Sequence, residues 1–283
     1  MTSTTLTPAG RSARKRRPAR TGHPLTRGSA IGLGVATMWF SLLVLIPLAA
    51  VAATAAGSGW DSFSRALSND ATASAIRLTV LMALAVTAVN VVMGTLIAWV
   101  LVRDRFPGQR VIEVVIDVPF ALPTIVAGLV LLSLYGPTSP LGVDVAGTRL
   151  SVFLAFLFVT TPFVVRSVQP VLAELDRDAE EAAASLGASR FTVFRRIILP
   201  SLIPAIAAGA TLSFARAVGE YGSLVLLSGN LPMRTEVASV RILSSIENDN
   251  PDNAAAVAVI LLAISLVVIV VVDVLQRRMV RRG

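Results

Sequence analysis

Two charged side chains stand inside a long apolar stretch of the sequence, where a charge is costly unless it has a partner or a ligand. Arg216 and Glu220 lie within residues 205–227 and are four apart, so a helix would place them on one face as a pair. An arginine fork also matches a tetrahedral oxyanion through charge-assisted hydrogen bonds. Two interpretations stay open: a pair that neutralises itself inside a helix bundle, or an arginine that lines a pathway for a divalent anion.

Charge is concentrated a second time in residues 176–200, which read DRDAEEAAASLGASRFTVFRRIILP. Alanine and glutamate favour a helix over 178–186, and Gly187 is typical of the residue that follows a helix end. Ser189 is a good N-cap for a second short helix. The sequence therefore predicts a helix–turn–helix elbow between two apolar stretches.

The predicted elbow carries an apolar side and a small side. Phe191 and Phe194 are three apart and are expected to share one face of the second helix. Ala182, Ala183 and Gly187 leave room for the close approach of another protein. A short helix of this kind can dock in a groove of a partner. An amphipathic connector without a partner is the alternative.

Several kinds of chemistry are excluded by residues that the chain lacks or has once. It contains no Cys, which excludes disulfides, thiolate nucleophiles and Cys-ligated metals. The single His, His23, stands in a polar region without a carboxylate cluster, which is a poor metal site. The single Lys, Lys15, is not part of the Gly-Lys-Ser/Thr sequence that a phosphate-binding loop needs. We therefore expect no catalytic residue, no metal and no ATP hydrolysis in this chain.

Composition indicates that lipid is the solvent for most of the chain. Of the 283 residues, 54% are hydrophobic and 15% are charged, with a mean hydropathy of +0.75. Soluble proteins carry roughly 25% charged residues. Six stretches approach or exceed the length of about 20 apolar residues that a bilayer requires. They are approximately 30–53, 78–102, 111–135, 150–165, 205–227 and 254–275.

The polar parts around these stretches define the expected organisation. Residues 1–29 are predicted to be a disordered basic tail, 30–276 a six-helix transmembrane domain, and 277–283 a second basic tail. Arg166 is expected to interrupt the fourth stretch and to open the loop before the fifth. Glu113 and Asp117, four apart at the start of the third stretch, are interpreted as interfacial anchors, with a proton relay as the alternative.

The distribution of basic residues predicts the orientation of the chain. If both termini are cytoplasmic, 19 of the 25 Lys and Arg residues lie in the tails and inner loops. Five lie in the outer loops, and Arg216 lies within the fifth stretch. The positive-inside rule favours this arrangement. The +8 net charge is therefore interpreted as an orientation signal and not as a surface for nucleic acid.

The loop at 176–200 resembles a known motif. The order Glu-Ala-Ala, three residues, Gly, nine residues, Ile-x-Leu-Pro is that of the EAA loop in ABC importer permeases. In that family the loop forms a coupling helix that seats in a cleft of the ATPase subunit. The resemblance thus implies an ATPase-coupling role for these seven matched positions: Glu181, Ala182, Ala183, Gly187, Ile197, Leu199 and Pro200.

Further segments narrow the resemblance to sulfate/thiosulfate permeases of the CysT type, over about residues 35–278. The matching segments are Leu122-Pro123-Thr124, 133–136, 139–142, 219–223, 228–230 and Pro232. The candidate translocation-pathway residues near the fifth stretch are Arg216, Glu220, Tyr221, Gly222 and Ser223. Gly219 and Gly222, which flank Tyr221, allow a local break or a close helix approach that would suit a gate. Molybdate permeases are close relatives with a comparable Gly-Glu segment. Import of molybdate or tungstate is therefore the alternative.

The resemblance implies an all-α polytopic protein, the six-helix transmembrane domain of a type I ABC importer in the bacterial inner membrane. It implies two ATP-binding subunits, a second homologous permease and an external sulfate/thiosulfate-binding protein that delivers its cargo to outer loops that include residues 248–253. Mg-ATP would be bound by the partner ATPase subunits, and this chain would need no cofactor. A secondary anion transporter driven by an ion gradient is the rival class.

Overall fold

The computed structural model describes residues 26–57 and 59–282, and this part of the chain is helical, without strands. Most of the predicted N-terminal tail, residues 1–25, lies outside the described residues, as does Gly283 of the C-terminal tail. The first helix begins at Arg27, inside the region predicted to be a tail, and the Thr26 hydroxyl caps it by accepting a hydrogen bond from Ser29 N.

The described residues form helices of very different lengths, with π-helical turns at Ser41–Leu45 and Phe194–Ile198. In chain order the helices are α1 (Arg27–Phe40), α2 (Ile46–Gly57), α3 (Gly59–Ser68), α4 (Asp70–Arg103), α5 (Gln109–Ala121), α6 (Thr124–Tyr135), α7 (Arg149–Ala173), α8 (Arg177–Ser185), α9 (Arg190–Val193), α10 (Leu199–Val218), α11 (Gly222–Leu227), α12 (Ala238–Glu247) and α13 (Pro251–Arg282).

Five helical segments of the described residues are long and apolar enough to cross a membrane, and a bent pair of helices brings the number to six. The prediction of six apolar stretches therefore agrees with the structure, although several bounds differ. The five unbent segments are Gly28–Gly57, Asp70–Arg103, Arg149–Ala173, Arg190–Val218 and Pro251–Arg278.

The chain divides into two compact units, one up to Leu48 and one from Ala49 onward. In the first unit, helix α1 exposes its apolar side chains on all sides, among them Ile31, Leu33 and Trp39. A helix that is apolar all round is typical of a segment surrounded by lipid. The first predicted stretch therefore has the surface of a membrane helix.

The third predicted stretch is not one continuous helix. Helices α5 and α6 meet at a bend of 117°. Leu122 is extended, with φ −84° and ψ 132°, because the ring of Pro123 disfavours a helical conformation in the residue before it. The prediction of an unbroken helix over 111–135 was wrong at this point, although the proline was visible in the sequence.

The local break that Gly219 and Gly222 allow is present in the fifth stretch. Helix α10 ends at Val218, and the short helix α11 begins only at Gly222. The N–H groups of Gly219 and Glu220 still bond to Ala215 and Ala217 carbonyls, which closes the last turn of α10. The stretch 205–227 is therefore two helices with a three-residue break.

Arg166 does not interrupt the fourth stretch as predicted, since α7 continues to Ala173. Its guanidinium donates to both carboxylate oxygens of Asp117, at 2.8 and 2.5 Å, and to Gln169 Oε1 at 2.7 Å. A further bond, at 3.1 Å, reaches the carbonyl of Glu113 on α5. Because these partners satisfy its charge, the arginine stays within the helix. Asp117 therefore binds α5 to α7, a contact that its interpretation as an interfacial anchor did not include.

Helices α4, α7 and α10 pack around a common core in the second unit. Val86, Phe156 and Phe214 fill it, each at most 2% exposed. Small residues bring the helix backbones close together: a Cβ on Gly209 would lie 2.8 Å from Val164 Cα. Membrane helices use such small residues for close packing.

A buried asparagine joins the same three helices by hydrogen bonds. Asn90 on α4 donates to Thr160 Oγ1 on α7 at 2.8 Å and to Ser213 Oγ on α10 at 3.1 Å. Its side-chain oxygen accepts from Thr161 at 3.4 Å. An amide in an apolar interior needs such partners, because an unpaired polar group is costly there.

Candidate functional site

The predicted elbow is present, and its first helix is α8. The Asp176 carboxylate caps the helix by accepting a hydrogen bond from Asp178 N at 2.9 Å. Asp178 and Glu180 stand in the first turn, where negative charge is favourable to the helix dipole. The expectation of a helix over 178–186 is confirmed to within one residue at each end.

Gly187 ends α8 as predicted. Its φ of +84° is left-handed, a conformation that costs an L side chain energy. Gly187 N donates to Ala184 O at 2.9 Å, and Ala188 N donates to Ala183 O at 3.0 Å. These two bonds are the pair that defines a Schellman motif. The turn of the elbow is therefore fixed by bonds within six residues of sequence.

Ser189 caps the second helix, which confirms its predicted role: its hydroxyl accepts from Thr192 N at 3.2 Å. The second helix is not a separate short helix, however. α9 continues through the π-helical turn into α10, giving one segment, Arg190–Val218. The π-helical turn ends two residues before Pro200, whose ring removes one helix hydrogen bond. The elbow is therefore joined to a candidate membrane helix without a flexible link.

The two phenylalanines do not share one environment, which corrects the prediction. Phe194 packs edge-on against Trp99 of α4, with ring centroids 5.6 Å apart. Phe191 is 69% exposed, and so is Leu186, at 90%, at the tip of the elbow. Exposed apolar side chains next to a small-residue helix are typical of a surface that a partner covers.

The seven residues of the EAA pattern fall into two groups. Glu181, Ala182 and Gly187 are exposed on the elbow, and Ala183 is half-buried. The remaining three, Ile197, Leu199 and Pro200, are half-buried around the start of α10. The first group can meet a partner, whereas the second places the elbow relative to the core.

A second group of predicted residues gathers where the broken stretches meet. The break region, which we define as residues 122–124 together with 219–223, brings the start of α6 against the start of α11. A Cβ on Gly222 would lie 2.2 Å from Thr124 Oγ1, and a Cβ on Gly128 would lie 2.7 Å from Ser223 O. Only glycine permits this approach of the two backbones.

Arg216 and Glu220 form the predicted pair, with Arg216 Nη1 2.5 Å from Glu220 Oε2. Glu220 lies beyond the end of α10, so the pair closes across the helix terminus and not along a helix face. The other carboxylate oxygen accepts from Ser223 N at 2.9 Å and Ser223 Oγ at 2.8 Å, which caps α11. One side chain therefore holds both sides of the break.

The predicted pathway residues differ in exposure. Glu220, Gly222 and Ser223 are buried, and Tyr221 packs partly against the core. Arg216 exposes 30% of its side chain, and Tyr221 is also half-buried. In this conformation Arg216 is therefore more accessible than the buried residues behind it.

A buried acid beyond the break was not singled out in the sequence. Glu236, in the loop between α11 and α12, is 4% exposed, and its Oε2 lies 3.9 Å from Arg241 Nη1. Burial raises the pKa of the Glu236 carboxyl, and the charge of Arg241 lowers it by a smaller amount. Arg241 also lines a polar cavity of about 410 Å³ with Arg65, Asn69, Asn250, Asp252 and Asn253.

No group of three His, Asp or Glu residues within 26–57 and 59–282 is arranged to hold a metal ion. The candidate site therefore has two parts: an exposed elbow, and a buried break beside a partly exposed arginine.

Comparison with known proteins assigns these features to a transport family. Over 251 residues the chain is 44% identical to the sulfate transport system permease protein CysT of Synechocystis sp., covering 86% of this chain and 88% of that protein. It is 38% identical over 262 residues to the protein of the same name from Escherichia coli, covering 90% and 95%.

Solved structures show the same fold at low sequence identity. Chains from a bacterial ABC transporter that imports the acidic polysaccharide alginate match with TM-scores of 0.71 and 0.73, each at 17% identity. The matches cover 88% and 89% of this chain and 94% of the other chain. The family model for binding-protein-dependent transport system inner membrane components matches residues 90–282, more than half of the chain. This chain therefore belongs to the family of inner membrane components of binding-protein-dependent transport systems.

Proposed function

We propose that the chain is a permease subunit of an ATP-driven importer for sulfate or thiosulfate. The observation that carries this proposal is identity of 38–44%, over most of both chains, with sulfate transport permeases from two distant bacteria. The elbow and the membrane helices supply the parts that such a subunit needs. We propose that this chain forms half of a translocation pathway and that a second, homologous permease forms the other half.

Arg216 is the residue that we propose for contact with the anion during transit. It is partly exposed, and its charge has the sign and the geometry that a tetrahedral oxyanion requires. Its partner Glu220 keeps the site from binding tightly, because the anion must compete with a carboxylate 2.5 Å away. Weak binding suits a transit site, which must release its cargo.

The elbow is proposed to face the cytoplasm and to dock on an ATP-binding subunit. The excess of basic residues in the tails and in the segments beside the elbow supports this orientation. Exposed Glu181, Ala182 and Leu186 would make the contact. The hydrolysis itself belongs to two partner subunits, since the sequence offers no phosphate-binding loop.

In the proposed cycle, an external binding protein delivers the anion to the outer side, where Asn250 and Asn253 line the polar cavity. Closure of the two ATP-binding subunits pushes on the elbow. The second helix of the elbow is continuous with α10 up to Val218, so the movement reaches α10 and Arg216 directly. The pathway then opens to one side of the membrane at a time.

Uptake by the reconstituted complex tests the substrate. Proteoliposomes that contain this chain, its partner permease, the ATP-binding subunits and the binding protein are given labelled sulfate, thiosulfate or molybdate, with and without ATP. We expect ATP-dependent uptake of sulfate or thiosulfate. Uptake of molybdate alone would assign the chain to a different oxyanion, and uptake that follows an ion gradient without ATP would refute the ABC mechanism.

Crosslinking tests the docking of the elbow, and the absence of native cysteine makes it direct. Ser185→Cys places a thiol on exposed α8, and Asp144→Cys, exposed in the loop between α6 and α7, is the control. We expect Ser185→Cys to capture an ATP-binding subunit in the assembled complex and Asp144→Cys not to do so. Failure of Ser185→Cys at several crosslinker lengths would refute the docking role.

A further inference from the structure

A charged pair attaches the first helix of the elbow to the end of α4. Arg103, the last residue of α4, donates from Nη2 to Glu180 Oε1 in the first turn of α8. The side chains are 13% and 20% exposed, so the pair is largely shielded from water. Because water screens it little, the interaction is stronger than that of a surface pair.

Aromatic contacts place the second helix of the elbow on the same end of α4. The Arg103 guanidinium lies 5.5 Å from the ring centroid of Trp99, within the range of a cation–π interaction. The same Trp99 ring contacts Phe194, in the π-helical turn after α9. Arg103 and Trp99 therefore connect one end of α4 to both helices of the elbow.

Apolar contact between α8 itself and α4 is limited. An open groove of about 360 Å³ is lined by elbow residues that include Ala184, Ala188 and Val193, together with Trp99 of α4. Helix α8 buries no residue fully, and Ala183 is half-buried against the core that also contains α4 residues. The charged pair with Arg103 is therefore a principal direct contact between α8 and α4.

We propose that the Arg103–Glu180 pair is the connection that transmits movement of the elbow to α4. This inference rests on the proposed docking of the elbow and adds a second route to the continuous helix that leads into α10. Through the pair, a push on α8 reaches α4, which shares its core with α7 and α10. Arg103 and Glu180 act as positioning residues, since neither is placed on the anion pathway.

Charge reversal in the full complex tests the proposal. The variants are Arg103→Glu, Glu180→Arg and the double exchange of both, and the readout is anion uptake per ATP hydrolysed in proteoliposomes. We expect each single reversal to lower this ratio about tenfold, a change that lies within the range found for residues in contact. In the double exchange, uptake per ATP is expected to return to within about threefold of that of the original protein. Recovery is incomplete because the arginine no longer lies against Trp99.

The milder variants Glu180→Gln and Arg103→Gln cover the case in which a reversed charge prevents folding. Asp178→Asn and Arg105→Gln are matched controls, because both side chains are exposed and lie near the pair in sequence. We expect the controls to keep the ratio unchanged. A purely structural pair would lower the amount of folded complex without changing uptake per ATP, and this result would overturn the proposal.

The Ser185→Cys crosslink distinguishes failure of the docking role from failure of the role of the Arg103–Glu180 pair. If it captures the ATP-binding subunit in the charge-reversed variants while uptake per ATP is unchanged, docking stands and the role of the pair is refuted. If it captures nothing even in the unmodified background, the docking role itself is refuted, and the inference about the pair is refuted with it.

Discussion

The helix ends in the elbow and those in the break region are stabilised in different ways. The elbow is exposed and is shaped by bonds between neighbours in sequence: Gly187 and Ser189 close and open its helices within a few residues. The break region is buried and is shaped by contacts between distant segments, with Gly222 seated against Thr124. A surface that must meet a partner is held by local bonds, whereas an interior break depends on tertiary packing.

This difference predicts how each region responds to substitution. A change in the elbow should affect transport more than stability, because its tip at Leu186 is 90% exposed. A change in the break region should affect stability first, because close-packed atoms have no room to move. Four substitutions test the contrast.

The largest effect is expected for Gly222→Ala. The new methyl group would stand 2.2 Å from Thr124 Oγ1 and 2.9 Å from Ile125 N, so α6 and α11 would have to separate. We expect a loss of about 3 kcal/mol, the upper part of the usual range for overpacking. The midpoint of thermal unfolding in detergent measures it.

Gly219→Ala is the matched control, three residues away in the same break. A Cβ there meets its nearest atom, Ala215 O, at 3.7 Å, which is ordinary contact. We expect a change within about 0.5 kcal/mol. Equal losses in both variants would show that the backbone conformation, and not the approach of α6, requires glycine in this region.

Glu220→Ala is expected to cost about 2 kcal/mol, less than a fully buried pair because Arg216 is partly exposed and water can replace its partner. The variant also removes the acceptor for Ser223 N. Glu220→Gln keeps an acceptor, so about half of the loss should return. If both variants unfold at the same temperature, the cap on α11 contributes nothing to stability.

Gly187→Ala should cost only about 1 kcal/mol, the price of a left-handed conformation for alanine. Apart from its neighbours in sequence, no atom of the described residues lies within 4 Å of the new methyl group. Transport should nevertheless fall severalfold, because the angle of the elbow changes. Gly187→Asn, which tolerates this conformation better, should restore part of the activity. Unchanged uptake in the alanine variant would contradict the importance of the elbow angle.

The smallest effect is expected at Glu236, which is buried like the break but stands in a loop held by local bonds. The pKa of Glu236 is raised from its ordinary value of 4.5 by burial. A folded state with a raised pKa holds its proton longer than the unfolded state does. The proton on Glu236 therefore stabilises the folded state fully below pH 4.5. This stabilisation is lost as the pH rises through the raised pKa of the folded state.

Glu236→Gln should remove this dependence, so its thermal midpoint should exceed that of the original protein by a small margin near neutral pH and not under acidic conditions. Glu247→Gln, at an exposed position on α12, is the control and should leave the pH profile unchanged. If the thermal midpoint of Glu236→Gln falls more steeply with rising pH than that of the original protein, the ion pair with Arg241 outweighs burial.

The parts of the fold that the sequence predicts well are those with local causes. Hydropathy locates the membrane helices, and turn chemistry locates Gly187 and Ser189. The bend at Leu122 has a local cause in Pro123, but the apolar composition of the whole stretch hides it. The pairing of Arg166 with Asp117, 49 residues away, has no sequence signal. Long-range pairing of this kind changed the predicted end of α7.

The candidate site divides in the same way. The pair Arg216–Glu220 follows from spacing, although the helix ends between the two residues. The burial of Gly222 and Ser223 depends on α6, which is distant in sequence, so their exclusion from solvent was not predictable. Glu180 directly precedes Glu181, the first residue of the motif. Only the structure shows that Glu180 is half-buried and pairs with Arg103, whereas Glu181 is exposed.

Asn90 has a consequence for how the molecule can move. Its side-chain amide donates to hydroxyls of α7 and α10, and its oxygen accepts from a hydroxyl of α7. Sliding any of these helices by one turn would break several bonds at once in a place without water to replace them. The three helices should therefore resist sliding past one another, and a change of access is expected at their outer boundary, where α5, α6 and α11 meet α7.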